Sequence, residues 1–566
     1  MMSPKRLLSF LLVVTLFACQ APLPTSLPAS TETTDAGKAS RPTETPAALP
    51  AEEPCCEVRF HPEEALYVGD QVSFEVIAPA AQPYLNQPLT VTLTAPPLLI
   101  GSAPFQPYGF DRRTQATLLW VWDTQTLSPG EYTLHFAIPD LQQEWQQTVT
   151  LLPRSALPPA QQTAQWETLT TDCCEIHFIT NTAAHRDIEA IAATVEQTAQ
   201  ALQEDIPVRL AERMGVVLIP RLIGNGGFAN QEINVSYLDR NYSAGDFATI
   251  LRHEMVHILD QRANSEGRPS LFVEGIAVFL SGGHYFPEPL LPRAAELVRS
   301  GKYIPLEELS EDFYNEQHEI AYLEAGALVA YLSRRFGWQT VWKAYLAMSL
   351  RQGETHTQAI ERALQSELGI SLQELEADFL AELKTTPQNR LYTLDIQTLE
   401  MYYETLRAYQ QLLDPSAYYR TAWMLDAGQM RQKGIVADYV RHPRREENLV
   451  LELLLNEAGR ARRAGDYYHA ERILGEVAVV LDRIRAKHPN PFSGQPLVQT
   501  GQEVVQALLA AGYEPQMWTL SHNQAEVLAT QGTPTLKQLI LELQNDGWQI
   551  VSGTSAAGED LIQGAQ

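Results

Sequence analysis

The sequence predicts a multidomain protein: an all-β domain is followed by an α+β domain, and then by a mostly α-helical region that ends in a small α/β unit. The first observation is length, because 566 residues are enough for about three to four domains. The second is periodicity, since apolar residues alternate every two positions in the first folded part and follow helical spacing in most of the rest. The third is composition: apolar residues make up 45% and charged residues 19% of the chain, so most of it can form buried cores.

The charge balance is strongly acidic. Lysine and arginine number 41 against 68 aspartates and glutamates, which gives a formal net charge of -27. No long basic stretch interrupts this balance, and such a chain repels the phosphates of a nucleic acid. We therefore expect no nucleic-acid partner.

The first residues have the layout of an export signal. Lys5 and Arg6 form a basic region, and the apolar stretch that follows over residues 7–17 is too short to span a bilayer comfortably. We therefore expect residues 1–18 to be a cleaved signal peptide. No other segment has enough uninterrupted apolar residues to cross a membrane.

The end of this signal resembles the lipobox of bacterial lipoproteins, with Leu16-Phe17-Ala18-Cys19 in that place. The resemblance implies that Cys19 is lipidated, and that the protein is extracytoplasmic and anchored to the bacterial cell membrane. Two acyl chains on one residue hold a protein stably at a bilayer. The alternative is a plain secretory signal, in which Cys19 has no role. Residues 19–54 are rich in Pro, Thr, Ser, Ala and Glu, which predicts a disordered tether.

Residues 55–155 predict an all-β domain. Val72, Phe74 and Val76 alternate with polar neighbours, and a second alternating run covers residues 132–138. Such runs are typical of half-buried strands, and the unit resembles an immunoglobulin-like sandwich. Its role is left open between a spacer and a module that binds a substrate or a partner.

Two adjacent cysteine pairs, Cys55-Cys56 and Cys173-Cys174, are each followed by a glutamate and a β-branched aliphatic residue. In an exported protein four cysteines allow three pairings, and the sequence does not choose among them. Because a bridge between adjacent residues strains the peptide between them, we expect one or two bridges that join Cys55 or Cys56 to Cys173 or Cys174. A four-cysteine zinc site is the other possibility, although the usual two-residue spacer is missing.

Residues 156–390 predict the α+β domain. Apolar strands at 175–179 and 216–219 flank an amphipathic helix at 185–202, and an extended stretch follows as far as residue 235. A further helix is expected to begin near residue 243, because Ser and Asp then have the spacing of a capping box.

This helix carries the most informative residues of the chain. Helical spacing places His253 and His257 one turn apart on one face, close enough for one zinc ion, and Glu254 lies beside them. After sixteen further residues comes Glu274, on a second helix that is expected to begin near Ser270. Its carboxylate is the expected third ligand.

These residues resemble the gluzincins, zinc metallopeptidases with a peptidase MA-like domain that carry HExxH on one helix and a glutamate on the next. Residues 271–277, Leu-Phe-Val-Glu-Gly-Ile-Ala, are similar to the W-L-x-E-G-x-A motif of that family. The resemblance continues through residues 304–306, 321–332, 336–337 and 369–379. One position departs: where some gluzincins have an aspartate that orients a histidine ligand, this chain has Val278. Asp260 is the candidate to replace that aspartate.

The resemblance implies a single Zn2+ ion and the hydrolysis of peptide bonds. Three protein ligands leave one zinc position for water, and Glu254 is the expected general base that takes a proton from the water and passes it to the leaving amine. Tyr322 is the candidate to stabilise the oxyanion, and His284, expected to lie on the surface or in a loop, is the alternative. Residues 226–237 are expected to offer an edge strand to an extended peptide.

The predicted function is therefore that of a membrane-tethered extracytoplasmic zinc metallopeptidase that acts on peptides or proteins. One alternative is a catalytically silent member that acts as a cell-surface binding or sensing scaffold. The other is a protein that works mainly by binding through its β domain and helical region. The complete set of His253, Glu254, His257 and Glu274 favours the enzyme over the silent member, because a protein without activity has no need to keep all four.

The remaining residues predict three segments. Residues 391–490 form a helical region in which 451–481 resembles a tetratricopeptide-type helix pair. We expect this region to pack on the metallopeptidase domain, although partner binding is also open. Residues 491–552 predict the small α/β unit, with a turn at Asn545-Asp546-Gly547, and residues 553–566 predict a disordered tail.

Overall fold

The structure is a computed structural model that describes residues 54–208, 212–263 and 267–555. Three β-sheets occupy the N-terminal half of this described part, and a mostly helical region follows and ends in a fourth sheet. This arrangement confirms the predicted multidomain α+β architecture. The predicted signal peptide, Cys19, residues 19–53 of the predicted tether and residues 556–566 of the predicted tail lie outside the described residues.

The N-terminal β domain consists of two sheets that share one core. Its strands are β1 (Glu57–His61), β2 (Leu66–Tyr67), β3 (Gln71–Ile77), β4 (Pro88–Thr94), β5 (Pro97–Pro104), β6 (Gln106–Tyr108), β7 (Arg113–Asp123), β8 (Gly130–Ile138) and β9 (Gln143–Leu152). The strand orders are β1-β3-β7-β6 and β2-β9-β8-β4-β5. Aromatic side chains from both sheets fill the space between them, as where Phe74 of β3 contacts Trp122 and Phe136.

β3 is buried on both of its faces, so the prediction of a half-buried strand is wrong there. Ser73 and Glu75, the polar members of the alternating pattern, are buried as completely as their apolar neighbours. The distant C-terminal region covers this polar face. His61 of β1 is hydrogen-bonded to Glu75 at 3.0 Å, and Trp423 of the C-terminal region stacks on His61 with ring centroids 4.1 Å apart. Alternation indicates which side of a strand is polar, but not whether another part of the chain will bury it.

The central domain begins with a five-stranded sheet and continues in helices. Its elements are α1 (Pro159–Gln162), β10 (Trp166–Thr170), β11 (Cys174–Ile179), α2 (Ala183–Arg186), α3 (Ile188–Asp205), β12 (Met214–Ile219), β13 (Gly227–Ala229), β14 (Ile233–Ser236), α4 (Phe247–Arg262), α5 (Ser270–Ser281), α6 (Leu290–Ser300), α7 (Leu306–Asp312), α8 (His318–Phe336), α9 (Trp338–Leu346), α10 (His356–Glu367) and α11 (Leu372–Thr385). The sheet order is β10-β11-β12-β14-β13. β11, β12 and β14 are parallel, and the edge strands β10 and β13 pair antiparallel to their neighbours.

Both faces of this sheet are buried, as is usual for parallel strands. Ile176 and Val216 pack against the helices of the central domain. Ile179 and Val217 belong to a separate apolar cluster with Trp423, a residue of the C-terminal region. The sheet is thus held between its own helices and a segment from much later in the chain.

Helix α4 begins three residues later than the capping-box interpretation predicted. The N-cap is Asp246, whose carboxylate accepts a hydrogen bond from the backbone N–H of Thr249 at 2.8 Å. Ser243 instead hydrogen-bonds Asn241 and Gly245 within the preceding turn, where Ala244 has a φ of 56°. The second helix begins at Ser270, as predicted, and ends before Gly282 in the left-handed region.

The cysteine bridges expected between the two pairs are wrong. Cys173 is bonded to its neighbour Cys174, and the Sγ atoms of Cys55 and Cys56 lie 2.9 Å apart. Cys56 lies in the core of the β domain, whereas Cys173 and Cys174 lie in the core of the central domain. Because the two pairs belong to different cores, they cannot bridge each other or share one metal ion.

The C-terminal region consists of helices followed by an antiparallel sheet. Its elements are α12 (Arg390–Leu413), α13 (Ala427–Lys433), α14 (Ala437–Val440), α15 (Glu446–Arg463), α16 (Tyr467–Arg485), α17 (Pro496–Ala510), β15 (Glu514–Leu520), β16 (Gln524–Thr530), β17 (Lys537–Gln544) and β18 (Gly547–Ser555). The predicted turn joins β17 to β18. Residues 553–555 belong to β18, so the prediction of disorder is wrong for them.

The C-terminal region packs on both of the other domains, and the residues described from 54 onwards belong to one unit. Tyr402 of α12 donates a hydrogen bond to the carbonyl of Tyr242 at 2.6 Å, just before α4. Arg441 forms a buried bidentate pair with Asp70 of the β domain, at 2.6 and 2.9 Å. None of the helices described is both long and apolar enough to cross a bilayer.

Candidate metal centre

Three side chains from two consecutive helices meet at one point. His253 and His257 lie one turn apart on α4, with their Nε2 atoms 3.1 Å from each other. Oε2 of Glu274, on α5, lies 3.3 Å from Nε2 of His253 and 3.4 Å from Nε2 of His257. Ligands at about 2.0–2.2 Å from a tetrahedral zinc ion are themselves roughly 3.3–3.6 Å apart. The triangle of donor atoms therefore has nearly the size that zinc requires.

The position of Glu274 depends on close packing between α5 and α8. Gly275 faces α8, and a Cβ atom at that residue would lie 2.8 Å from the carbonyl oxygen of Ala325. One turn further along α5, Val278 packs against Gly326, so the place of the family's aspartate is filled by an apolar helix contact. Glycines on both helices thus let α5 lie close to α8 and bring Glu274 beside α4.

Tyr314 fixes the orientation of the Glu274 carboxylate. Its hydroxyl donates a hydrogen bond of 2.7 Å to Oε1, which leaves Oε2 directed at the two imidazoles. Tyr314 lies in a 3-10 turn, Phe313–Asn315, immediately before α8. Sequence reasoning missed this residue, because no local pattern marks a tyrosine in an irregular turn as a partner of a carboxylate on another helix.

Glu254 is buried beside the triangle without being part of it. A Cβ atom on Gly227 would lie 3.1 Å from Oε1 of Glu254, so the edge strand β13 passes directly over this carboxylate. Burial raises the pKa of Glu254, and the charge of Glu274 adds to the effect, while His253 and His257 oppose it. A carboxyl group with a raised pKa suits proton transfer near neutral pH.

His257 and Glu274 stabilise each other's charged forms. Burial alone lowers the pKa of His257, but the charge and hydrogen bond of Glu274, together with the charges of Glu254 and Asp260, raise it to about 9. Burial raises the pKa of Glu274, but His257 and His253 bring it well below its usual range. Glu274 is therefore ionised, and its negative charge faces both imidazoles.

A layer of buried aromatic and histidine side chains covers one side of the triangle. The ring of Tyr322 lies 3.9 Å from that of His284 and 4.3 Å from that of His318, measured between centroids. His284 lies in the loop after α5, as predicted, but its ring centroid is 5.2 Å from that of His253, so it adjoins the site and is not a freely exposed surface residue. The loop after α5 folds back under α8, which the sequence around His284 did not indicate.

The histidines of this layer are neutral at neutral pH. Burial lowers the pKa of His284 well below its usual range and that of His318 to about 4. Burial also raises the pKa of the Tyr322 hydroxyl well above its usual range. Each of the three is thus a neutral group with one proton to donate.

Asp260 lies one turn beyond His257 on α4. Its carboxylate accepts hydrogen bonds from Arg268 at 2.7 Å and from Tyr345 at 2.5 Å. Its charge is one of those that raise the pKa of His257. The charge of Asp260 thus acts on His257, and its hydrogen bond with Tyr345 links α4 to α9.

No family model matches the sequence, and no curated protein is significantly similar to it.

Proposed function

We propose that the protein is a zinc metallopeptidase of the gluzincin type, with an immunoglobulin-like domain at its N-terminal side. The observation that carries this proposal is the triangle of His253 Nε2, His257 Nε2 and Glu274 Oε2. The buried carboxylate of Glu254 lies next to this triangle but is not one of its three donor groups. Two imidazoles and a carboxylate are a ligand set of catalytic zinc sites, in which a fourth position stays open. A structural zinc site would more often use four protein ligands, commonly including cysteine.

Three residues next to the triangle, Glu254, Tyr322 and His284, each suit a step of peptide hydrolysis. A zinc ion at the triangle would polarise water and the scissile carbonyl. Glu254, with its raised pKa, is placed to take a proton from water and to give it to the leaving amine. Tyr322 and His284 are neutral donors on the side of His253, where they can stabilise negative charge on the carbonyl oxygen.

The edge strand β13 supports a peptide as the substrate. β13 lies at the edge of its sheet, paired only with β14 among the described strands, and it crosses over Glu254. An extended peptide can add to such an edge through main-chain hydrogen bonds, and these do not depend on its sequence. A peptide held in this way would pass directly beside the proton-transferring carboxylate.

The proposal is tested by zinc content and by digestion of a peptide library. The full-length protein should bind about one equivalent of zinc and cleave peptides, and removal of zinc by a chelator should abolish cleavage reversibly. His257→Ala should lose both zinc and activity, whereas the exposed control Glu189→Gln should lose neither. A zinc-loaded native protein that cleaves nothing in a broad library would favour the silent scaffold instead.

A further inference from the structure

Two large aromatic side chains that are exposed to solvent contact each other beside the metal centre. Phe110 of the β domain is 64% exposed and Tyr314 of the central domain is 42% exposed. Their ring centroids are 6.0 Å apart with an angle of 31° between the rings. Single exposed apolar side chains are common, but two that contact each other beside a candidate metal centre are placed where a substrate would lie.

This aromatic pair adjoins the candidate ligands. The hydroxyl of Tyr314 donates a hydrogen bond to Oε1 of Glu274. The ring that contacts Phe110 therefore lies directly beside the metal centre. The adjacent Phe313 packs on Tyr322 with ring centroids 5.1 Å apart, which ties the same turn to the candidate oxyanion donor. A side chain resting on Phe110 and Tyr314 would therefore lie close to the reacting bond.

The β domain holds Phe110 at this place through a rigid turn. The backbone N–H of Phe110 donates to the carbonyl of Arg420 at 2.7 Å, and Arg420 in turn donates to Asp111 at 3.0 Å. Gly109 has a φ of 67°, and any Cβ there would collide with the carbonyl oxygen of Arg420. Because these contacts with Arg420 hold the backbone of the turn, less conformational entropy is lost on binding than if the turn were free.

We propose that Phe110 and Tyr314 form a subsite that selects substrates with a bulky apolar or aromatic side chain next to the scissile bond. This inference rests on the proposed peptidase function. Main-chain pairing with β13 is neutral to sequence, so preference among peptides must come from side-chain contacts such as this one. The β domain is then part of the substrate site and not a spacer.

Equilibrium binding separates this inference from catalysis. The zinc-loaded, full-length Glu254→Gln variant is mixed with capped fluorescent peptides that carry either Phe or Ala at each position in turn. We expect tighter binding of Phe over Ala at one position, by at least about tenfold. Adding Phe110→Ala should abolish that ratio and leave the Ala peptides bound as before. The matched control Leu99→Ala, which removes an equally exposed side chain of the same domain (64%), should preserve the ratio.

A ratio that survives Phe110→Ala would overturn the subsite, and so would a failure of every peptide to bind. A change of oligomeric state in Phe110→Ala, seen by ultracentrifugation without loss of the ratio, would instead assign the aromatic pair to a protein interface. If the ratio depends on Phe110 but the enzyme with native Glu254 cleaves none of the peptides, the subsite stands and the proposed hydrolysis fails.

Discussion

At the residue scale, Tyr314 is expected to hold Glu274 in the orientation that a metal ion needs. Tyr314→Phe keeps the ring but removes the hydroxyl that donates to Oε1. Partners that orient a metal ligand typically contribute about 10–100-fold in metal affinity. We therefore expect zinc affinity, measured by competition with a chromophoric chelator, to fall by that factor. Tyr468→Phe, at a 79% exposed tyrosine, is the control and should bind zinc as the native protein does. Native affinity in Tyr314→Phe would show that the hydrogen bond does not orient the ligand.

Glu324 should make stability depend on pH. It is buried on α8, with one oxygen accepting from the backbone N–H of Ile304 at 3.1 Å and the other without a hydrogen-bond partner among the described residues. Burial raises its pKa well above the usual range, so the folded protein keeps it protonated where the unfolded chain ionises it. Its stabilising contribution is therefore complete below the unfolded pKa and is lost as pH rises towards the folded pKa.

Glu324→Gln removes this titration while keeping a neutral side chain of the same shape. Between pH 5 and pH 8, the melting temperature of the variant should gain about 1–2 °C relative to the native protein. The exposed control Glu189→Gln should show no such gain. A constant difference between Glu324→Gln and the native protein across this range would mean that Glu324 is ionised in the fold.

The site residues that lie on regular helices and belong to a sequence motif could be predicted from the sequence. His253, Glu254 and His257 follow from one local string, and Glu274 follows from a second motif on the next helix. The structure brings the three expected ligands together, and it also adds Tyr314 and His318, which lie just before α8 and at its start. Neither belongs to a periodic pattern, because their positions are set by tertiary packing and not by local spacing.

At the scale of elements, the distance between α5 and α8 should control both stability and the metal site. In Gly275→Ala the new Cβ would lie 2.8 Å from the carbonyl of Ala325 and 3.0 Å from Val329, so the helices must separate. Such overpacking costs about 1–3 kcal/mol, and moving α5 also moves Glu274. We expect a lower melting temperature together with weaker zinc binding.

The matched control is Gly475→Ala in α16, where a new Cβ meets nothing within 4 Å. Replacing a helical glycine by alanine in open space should stabilise the fold by roughly 0.5–1 kcal/mol. Calorimetry and zinc titration on both variants test the comparison. Native stability and zinc affinity in Gly275→Ala would mean that the close approach of the two helices is not what places Glu274.

Element types were more predictable than element boundaries and partners. Strands β11, β12 and β14 and helices α3 to α5 occur close to where periodicity placed them. The start of α4 was misplaced because two residues, Ser243 and Asp246, both suit an N-cap, and only the backbone turn at Ala244 decides between them. The burial of β3 depends on which distant segments meet, and no local pattern records that. The bridge between Cys173 and Cys174 is local, and it was missed because a bridge between adjacent residues was expected to strain the peptide between them.

At the scale of the whole molecule, three domains build one site. The β domain contributes Phe110, the central domain contributes the candidate ligands, and the C-terminal region holds the Phe110 turn through Arg420. The motifs from which a peptidase was predicted lie only in the second of these. The contribution of the other two could not be predicted, because it arises where their surfaces meet.

We expect the location of this assembly to depend on Cys19. If Cys19 carries the lipid anchor, Cys19→Ser should release the protein from membranes or block its processing, since two acyl chains hold a protein at a bilayer where none would. Cell fractionation and N-terminal sequencing of the mature protein check this. A Cys19→Ser protein that fractionates with membranes and keeps the native mature terminus would exclude the lipoprotein interpretation.

If a metal site beside Glu254 performs hydrolysis, Glu254→Gln should remove catalysis without removing the metal. Gln keeps the shape of the side chain under β13 but cannot accept a proton, and it leaves His253, His257 and Glu274 in place. Zinc content and melting temperature should therefore stay native, while the rate of peptide cleavage should fall by at least about 10²–10⁴-fold, as is typical when a general base is lost. Near-native turnover of any peptide by zinc-loaded Glu254→Gln would exclude Glu254 as the general base of hydrolysis at this metal site.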